Sequence, residues 1–461
     1  MSNENWKAIL ITISVSIFFI LISNGCNEHG SEQKTLWRSR GYGLIVELGN
    51  THFKIFDVTE VSCLERITRG LKRDDALLIE KDGEEIEIGR FVISGDELTF
   101  EASIETVIFF DRIDDMPYVD IEKETSDPEA NFEVFWAIFE ENCALFGLTG
   151  VDWKKMYEDY RPLVTQETSQ ERLFEIFKEM VTPLNDGHTT LSDDENSRYF
   201  EGGPDYESKW LIDEAYEQDY IINTAGYLVP ESVQTTGNGY MLFGIIQQPN
   251  AVYGYLNILS FDDYSENGDL KIEKEVFNDG LDRVFNSFNE NKVNAIVIDI
   301  RLNEGGEDAL ALLLAGRFIQ KKRVAFSKMA RFGEGYDDFT EVMDYEVLPS
   351  SAPMLNMPVV LLTSRNSMSA SDVATMVLND IPEVTIIGER TYGEFSNMLD
   401  KTLPNGWKIN LSNESYLSSE GVDYEQKGIA PDIVILPDVA AFNDNRDNIM
   451  EGALDYLNGT N

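Results

Sequence analysis

Residues Asn294–Gly306 read NAIVIDIRLNEGG, and this stretch decides the fold. Its apolar residues run on without alternation, the pattern of a strand buried on both faces in a parallel sheet covered by helices. Two glycines close the run, and EDALALLLAGRFI (307–319) follows with the composition of a helix. The same order recurs downstream in PVVLLTS (358–364), SASDVATMVLND (369–380) and VTIIGER (384–390). Upstream, GYLNILSF (254–261) reads as a strand and 270–289 as a helix, while GWKINLSN (406–413) and DIVILPD (432–438) supply further strands. Strands alternating with helices predict an α/β fold.

Toward the amino terminus the period changes. NFEVFWAIFEENCALF (131–146) and SQERLFEIFKEMVTPL (169–184) place apolar residues three and four apart, which predicts amphipathic helices, the second capped by Ser169. Before them, GLIVELG, THFKIFDV, ALLIEK, EEIEIGRFVIS and ELTFEAS, all within 41–107, alternate apolar and polar residues between turn signals. They predict a small antiparallel β-domain. The acidic, proline-broken stretch 111–129 suits a boundary.

The chain has 461 residues with 37 Lys+Arg against 83 Asp+Glu, a net charge of −46. That balance argues against nucleic-acid binding, which needs a basic face. A hydrophobic fraction of 43% argues against a disordered acidic chain. Three cysteines exclude a disulfide scaffold, and no Cys63–Cys143 bridge is expected. Three histidines leave little for a metal centre, so no metal and no cofactor is expected. Residues 8–22, AILITISVSIFFILI, would rise about 22 Å as a helix, short of the hydrocarbon core. Such a run suits a secretory signal, and the small residues before Cys26 resemble a bacterial lipoprotein signal. The expectation is an exported protein tethered in the cell envelope or periplasm by a lipid on Cys26; a plain membrane anchor is the alternative.

Open α/β sheets bind ligands at the carboxyl ends of their strands. Two junctions lie there: Asp299–Gly306, and Ser367-Met-Ser369-Ala-Ser371-Asp372. Paired glycines let a backbone N–H approach a substrate oxygen, and a serine at a helix start sits near unsatisfied N–H groups. The same residues also suit an ordinary strand end and helix cap. A third junction, LNDGHTT (184–190), carries His188. His29 falls in the linker and His52 in the β-domain, so a histidine base working near neutral pH would have to be His188.

The ordered set DGHTT, GYLNILSF, IVIDIRLNEGG, VVLLTSRNSMSASD, IIGERTYGE and YEQKGIAPDI resembles the tail-specific (carboxyl-terminal processing) serine peptidases. Within them it is most similar to the tricorn and interphotoreceptor-retinoid-binding branch. The resemblance implies a crotonase/ClpP-like α/β core with a helical amino-terminal part, a nucleophile at Ser369 and an oxyanion hole from Gly305 or Gly306 with Ala370. The processing branch uses a lysine base 25 residues after the nucleophile, where this chain has Glu394, so a Ser–Lys dyad is not expected. The tricorn-like pattern implies His188 as base and Glu425 as orienting acid, with Glu394 the alternative acid. Gly187 stands where tricorn has a bridging serine.

The organisation expected is 1–26 signal or anchor, 27–40 linker, 41–128 β-domain, 129–195 helical part and 196–461 α/β core. No PDZ domain is expected in 192–253, whose aromatics Trp210 and Tyr253 line a substrate entrance or, more simply, the core. The function implied is a serine endopeptidase acting on peptides or proteins. A non-catalytic binding protein or an esterase on the same fold are the alternatives.

Overall fold

The structure is a computed structural model and describes residues 34–81, 83–102, 106–121, 123–204, 214–351 and 357–460. Cys26 and Trp210 lie outside the described residues. The chain forms two compact units. One holds the residues up to Gly203 with Ala330–Thr340 and Met398–Asn413; the other holds Pro204–Met329, Glu341–Asn397 and Glu414–Asn461.

The first unit begins with eight antiparallel strands, Thr35–Ser39, Leu44–Leu48, His52–Val58, Cys63–Arg73, Ala76–Lys81, Glu84–Ser94, Glu97–Ala102 and Thr106–Ile113. The first pairs with the eighth, Leu36 opposite Ile113, and closes a barrel. Closure removes both exposed edges. The first strand lies in the stretch read as a linker, because five residues with one buried aromatic, Trp37, carry too little alternation to register. Trp37, Phe53, Phe91, Leu98 and Phe110 fill the interior.

Beyond the barrel, Asp127 caps the Pro128–Asn142 helix by accepting from Glu129 N–H, and Ser169 caps Gln170–Val181 by accepting from Arg172 N–H. Such caps contribute about 1 kcal/mol each. The two helices meet through the stacked rings of Phe135 and Phe177, centroids 3.9 Å apart. Their core is completed by Leu399, Trp407 and Leu411 from the late segment 398–413. That segment forms an antiparallel sheet in the order Arg198–Glu201, Thr190–Asp193, Lys408–Ser412, Met398–Thr402. GWKINLSN therefore belongs to the first unit rather than to the α/β core, because Ile409 pairs with Leu191 and turns its side chain into the helical core. The barrel grips this sheet through Lys401, which is buried and donates to Tyr42 O, Gly43 O and Asp57 Oδ1 at 2.7–2.8 Å.

The second unit is a seven-stranded sheet in the order Gln234–Thr236, Met241–Gln247, Val252–Ile258, Ala295–Asp299, Val359–Thr363, Val384–Gly388, Ile433–Val434. It is parallel from Val252–Ile258 onward. Helices Leu270–Glu290, Asp308–Ala315, Ala370–Asn379 and Asn448–Thr460 follow in chain order. The strands Ala295–Asp299 and Val359–Thr363 are buried at every residue, as their unbroken apolar runs require. DIVILPD shrinks to two strand residues, with Val434 and Leu436 left exposed. Tyr253 is fully buried and packs in the core. Among the described residues no helix is long and apolar enough to cross a membrane.

Candidate active site

The serine-rich turn separates its three hydroxyls. Ser367 is buried; its Oγ donates to Ile300 O at 2.9 Å and accepts from Ser364 N–H at 3.1 Å, so it ties two strand ends together. Ser371 is buried inside the helix start. Ser369 alone of the three keeps solvent access. Its backbone is at φ 55°, ψ −123°, a conformation that L side chains rarely adopt. Such strain costs on the order of 1–3 kcal/mol and persists where the surroundings over-determine it, typically at functional sites. Ser369 is the cap residue of Ala370–Asn379, and Ala370 N–H is the first donor of that helix.

The glycine turn packs directly on this serine. A Cβ on Gly305 (φ +114°) would lie 2.6 Å from Ser369 Cβ, and one on Gly306 (φ +128°) would lie 2.4 Å from the Phe261 carbonyl. Only glycine fits either place. The two differ in their hydrogen bonds. Gly305 N–H donates to Asn303 Oδ1 at 2.9 Å and Gly305 O accepts from Phe261 N–H at 2.8 Å. Gly306, exposed to solvent, has no such commitment for its N–H among the described residues.

Four successive N–H groups after the next strand are shared between two buried carboxylates. Asp372 accepts from Gly393 and Glu394 at 3.0 Å, and also from the backbone of Ser369. Glu425 Oε2 accepts from Phe395 and Ser396 at 3.1 Å. Burial pushes the Asp372 carboxyl up to about 7 despite these donors. Glu394 and Glu425, 2% and 3% exposed, thus flank one loop. At the end of the central strand, Arg301 binds Asp299 at 2.6 Å and Asp447 at 2.9 Å, all buried. Burial and the Asp447 carboxylate push Asp299 up to about 8.

His188 belongs to the first unit and is 4% exposed. Its turn closes by Thr189 N–H donating to Asp186 O at 3.2 Å. The buried Asp186 carboxylate accepts from Thr189 Oγ1 at 2.6 Å and from Ser412 Oγ at 3.1 Å. The second unit therefore brings together Ser369, Gly305, Gly306 and Ala370, and sets Glu394 and Glu425 on adjoining segments. Sequence reasoning missed Asp372, Asn303 and Asp186 as supporting residues; their spacing carries no signal, since each acts through a fold-dependent backbone contact. Among the described residues no group of three or more His, Cys, Asp or Glu side chains could hold a metal.

The family model described as peptidase family S41 matches residues 252–435, which contain both glycines, the serine turn and both glutamates. Residues 252–435 belong to peptidase family S41. The Tricorn protease C1 domain model matches 125–182, the capped helices. The chain is 26% identical to the Bartonella bacilliformis carboxy-terminal-processing protease over 31% of each chain. It is also 26% identical to carboxy-terminal processing protease CtpA of Bacillus subtilis, over 35% of this chain and 33% of that one. The chain thus spans about a third of the length of these curated relatives. A solved structure from Parabacteroides merdae matches with TM-score 0.60 and 28% identity, covering 72% of this chain and 97% of that one. Mature CPAF shares the fold, with TM-score 0.51 and 11% identity over 72% of this chain and 95% of its own. The α/β core expected from the motifs, preceded by a helical part and an antiparallel β-domain, is therefore the fold of this chain.

Proposed function

We propose that this chain is a serine endopeptidase working through Ser369, His188 and Glu425. The observation that carries the reading is the strained backbone of the partly exposed Ser369, whose Cβ packs against the Gly305 turn. Ser369 Oγ attacks the scissile carbonyl carbon while His188 takes its proton. The carbonyl oxygen becomes an oxyanion held by Gly306 N–H and Ala370 N–H, the two donors left uncommitted by the fold. Of the two glycines, Gly306 is the donor, because Gly305 already gives its N–H to Asn303. The C–N bond then breaks as His188 returns the proton to the leaving amine, and water releases the acyl group by the same steps reversed. Glu425 orients the imidazole and stabilises its cation. Phe395 and Ser396 N–H fix one of its oxygens, which favours it over Glu394 for that role.

A fluorophosphonate probe should label the wild-type protein and not Ser369→Ala. Peptide hydrolysis should fall by at least about 1,000-fold in both Ser369→Ala and His188→Ala, since members of one catalytic unit fail together. Full activity in His188→Ala ends the triad; hydrolysis of activated esters but no peptide replaces the peptidase by an esterase; no labelling leaves a binding protein. We also read Cys26 as the site of a lipid that tethers the protein outside the cytoplasm. A radioactive fatty acid should then label the wild type and not Cys26→Ala.

A further inference from the structure

We propose that Asn303 is a positioning residue that sets the direction of the Gly305–Gly306 peptide and so aims the oxyanion donor. The proposal rests on the peptidase reading above and adds a residue to it.

Asn303 is completely buried at the end of the central strand. Its Oδ1 accepts from Gly305 N–H at 2.9 Å, and its Nδ2 donates to Ile258 O at 3.1 Å. One side chain thus bridges the neighbouring strand to the glycine turn. On the other side, Phe261 N–H donates to Gly305 O and Glu307 N–H donates to Phe261 O, both at 2.8 Å. Gly305 therefore has its N–H fixed by Asn303 and its carbonyl fixed by Phe261.

The rest follows from peptide geometry. In a planar trans peptide the N–H points opposite to the preceding C=O. With Gly305 O held toward Phe261, Gly306 N–H must point away from Phe261. The Gly305 Cα lies against Ser369, so this donor emerges beside the hydroxyl. Intrinsic backbone preference does not set the orientation, because two adjacent glycines accept more φ/ψ combinations than other residues do. Hydrogen bonds enforce it instead, and Asn303 supplies the one on the amino side. Without Oδ1, Gly305 N–H is a buried donor with no acceptor; turning the Glu304–Gly305 peptide to relieve it moves Gly305 and loosens the Phe261 bond that aims the Gly305–Gly306 peptide. A rotated peptide presents a carbonyl oxygen where the oxyanion forms, which replaces attraction by repulsion.

The test compares wild type, Asn303→Ala and Asn303→Asp on one peptide substrate and one peptide boronate, which mimics the tetrahedral state. Asn303→Ala should lose about 10- to 100-fold in kcat. Its KM should stay within about threefold, and its boronate affinity should fall by the same factor as kcat/KM. In Asn303→Asp the carboxylate keeps the acceptor for Gly305 but faces Ile258 O without a proton. Its activity relative to wild type should therefore rise as pH falls and the carboxyl becomes a donor. A folded Asn303→Ala with unchanged kcat, or a kcat loss without the boronate loss, overturns the proposal. Should Asn303→Ala not fold, a flat pH ratio in Asn303→Asp overturns it. If the wild type neither hydrolyses peptides nor binds the probe, the peptidase reading fails by itself. The clamp is then judged by exchange of the Gly305 amide, which must quicken in Asn303→Ala and stay protected in Asn303→Asp; unchanged protection in a folded Asn303→Ala, or lost protection in Asn303→Asp, overturns it.

Discussion

Ser369 and His188 both stand on tight turns with one positive-φ residue, yet only in the first is that residue the candidate catalytic one. The serine turn is strained and packed tightly: φ 55° at Ser369, a glycine with room only for hydrogen against it, and a buried carboxylate on its backbone. In the histidine turn the positive φ falls on Asn185 (φ 52°), three residues before His188 and a residue type that tolerates it, while Asp186 draws on Thr189 and on Ser412 from a distant segment. The contrast fits the proposed roles. A nucleophile and its donors must be fixed to a fraction of an ångström, whereas a base that both takes and gives a proton needs only to be held in reach.

The sharpest way to break the contrast is Gly305→Ala. Its methyl would lie 2.6 Å from Ser369 Cβ at φ +114°, so peptidase activity should fall at least about 100-fold, with a stability loss of about 1–3 kcal/mol. Activity within threefold of wild type would mean that the serine turn is not rigid. Asp186→Ala attacks the other turn and should cost about 2 kcal/mol in denaturant unfolding, with a roughly tenfold loss of activity. A larger activity loss there than in Gly305→Ala would reverse the comparison.

Protonation separates the two units next. In the serine unit burial raises Asp262 and Asp372 to about 7 and Asp299 and Glu307 to about 8. The histidine unit has Glu141 at about 7 and Asp400 at about 6. Carboxyls raised in the folded state add stability that is fully present below their unfolded pKa and is lost as pH rises through the folded values. The protein should therefore melt several degrees lower at pH 9 than at pH 5.5. Hydrogen exchange should show the larger loss of protection at high pH in Ala295–Asp299 than in Gln170–Val181. A higher melting temperature at pH 9 refutes this. The smallest effect is Ser369→Gly, which relaxes the positive φ and should stabilise the inactive protein by about 1 kcal/mol. A destabilised glycine variant would deny that Ser369 is strained.

Much of the serine unit was legible because parallel strands buried on both faces read as unbroken apolar runs, and their carboxyl ends locate a site. Ser369 was singled out by the family resemblance; spacing alone left Ser367 and Ser371 beside it, and φ, burial and hydrogen bonds give the physical difference. The donor glycine was likewise invisible, since the difference between Gly305 and Gly306 lies in which N–H meets Asn303. The histidine unit was harder to read. Its sheet is completed by 398–413, and Ala330–Thr340 joins the same unit; such long-range association leaves no local pattern. The barrel's first strand was lost for the opposite reason, being too short to show its period.

Lys401 bears on how far this chain can be trimmed. Its ammonium sits on the edge strand Met398–Thr402 of the sheet that also holds Thr190–Asp193, and its three acceptors all belong to the barrel. Removing the barrel would take all three acceptors away and return that cation to water, so the joint between barrel and sheet would be lost. The β-domain is therefore no detachable passenger. It supplies the acceptors for the buried cation of the Met398–Thr402 strand, within the same unit.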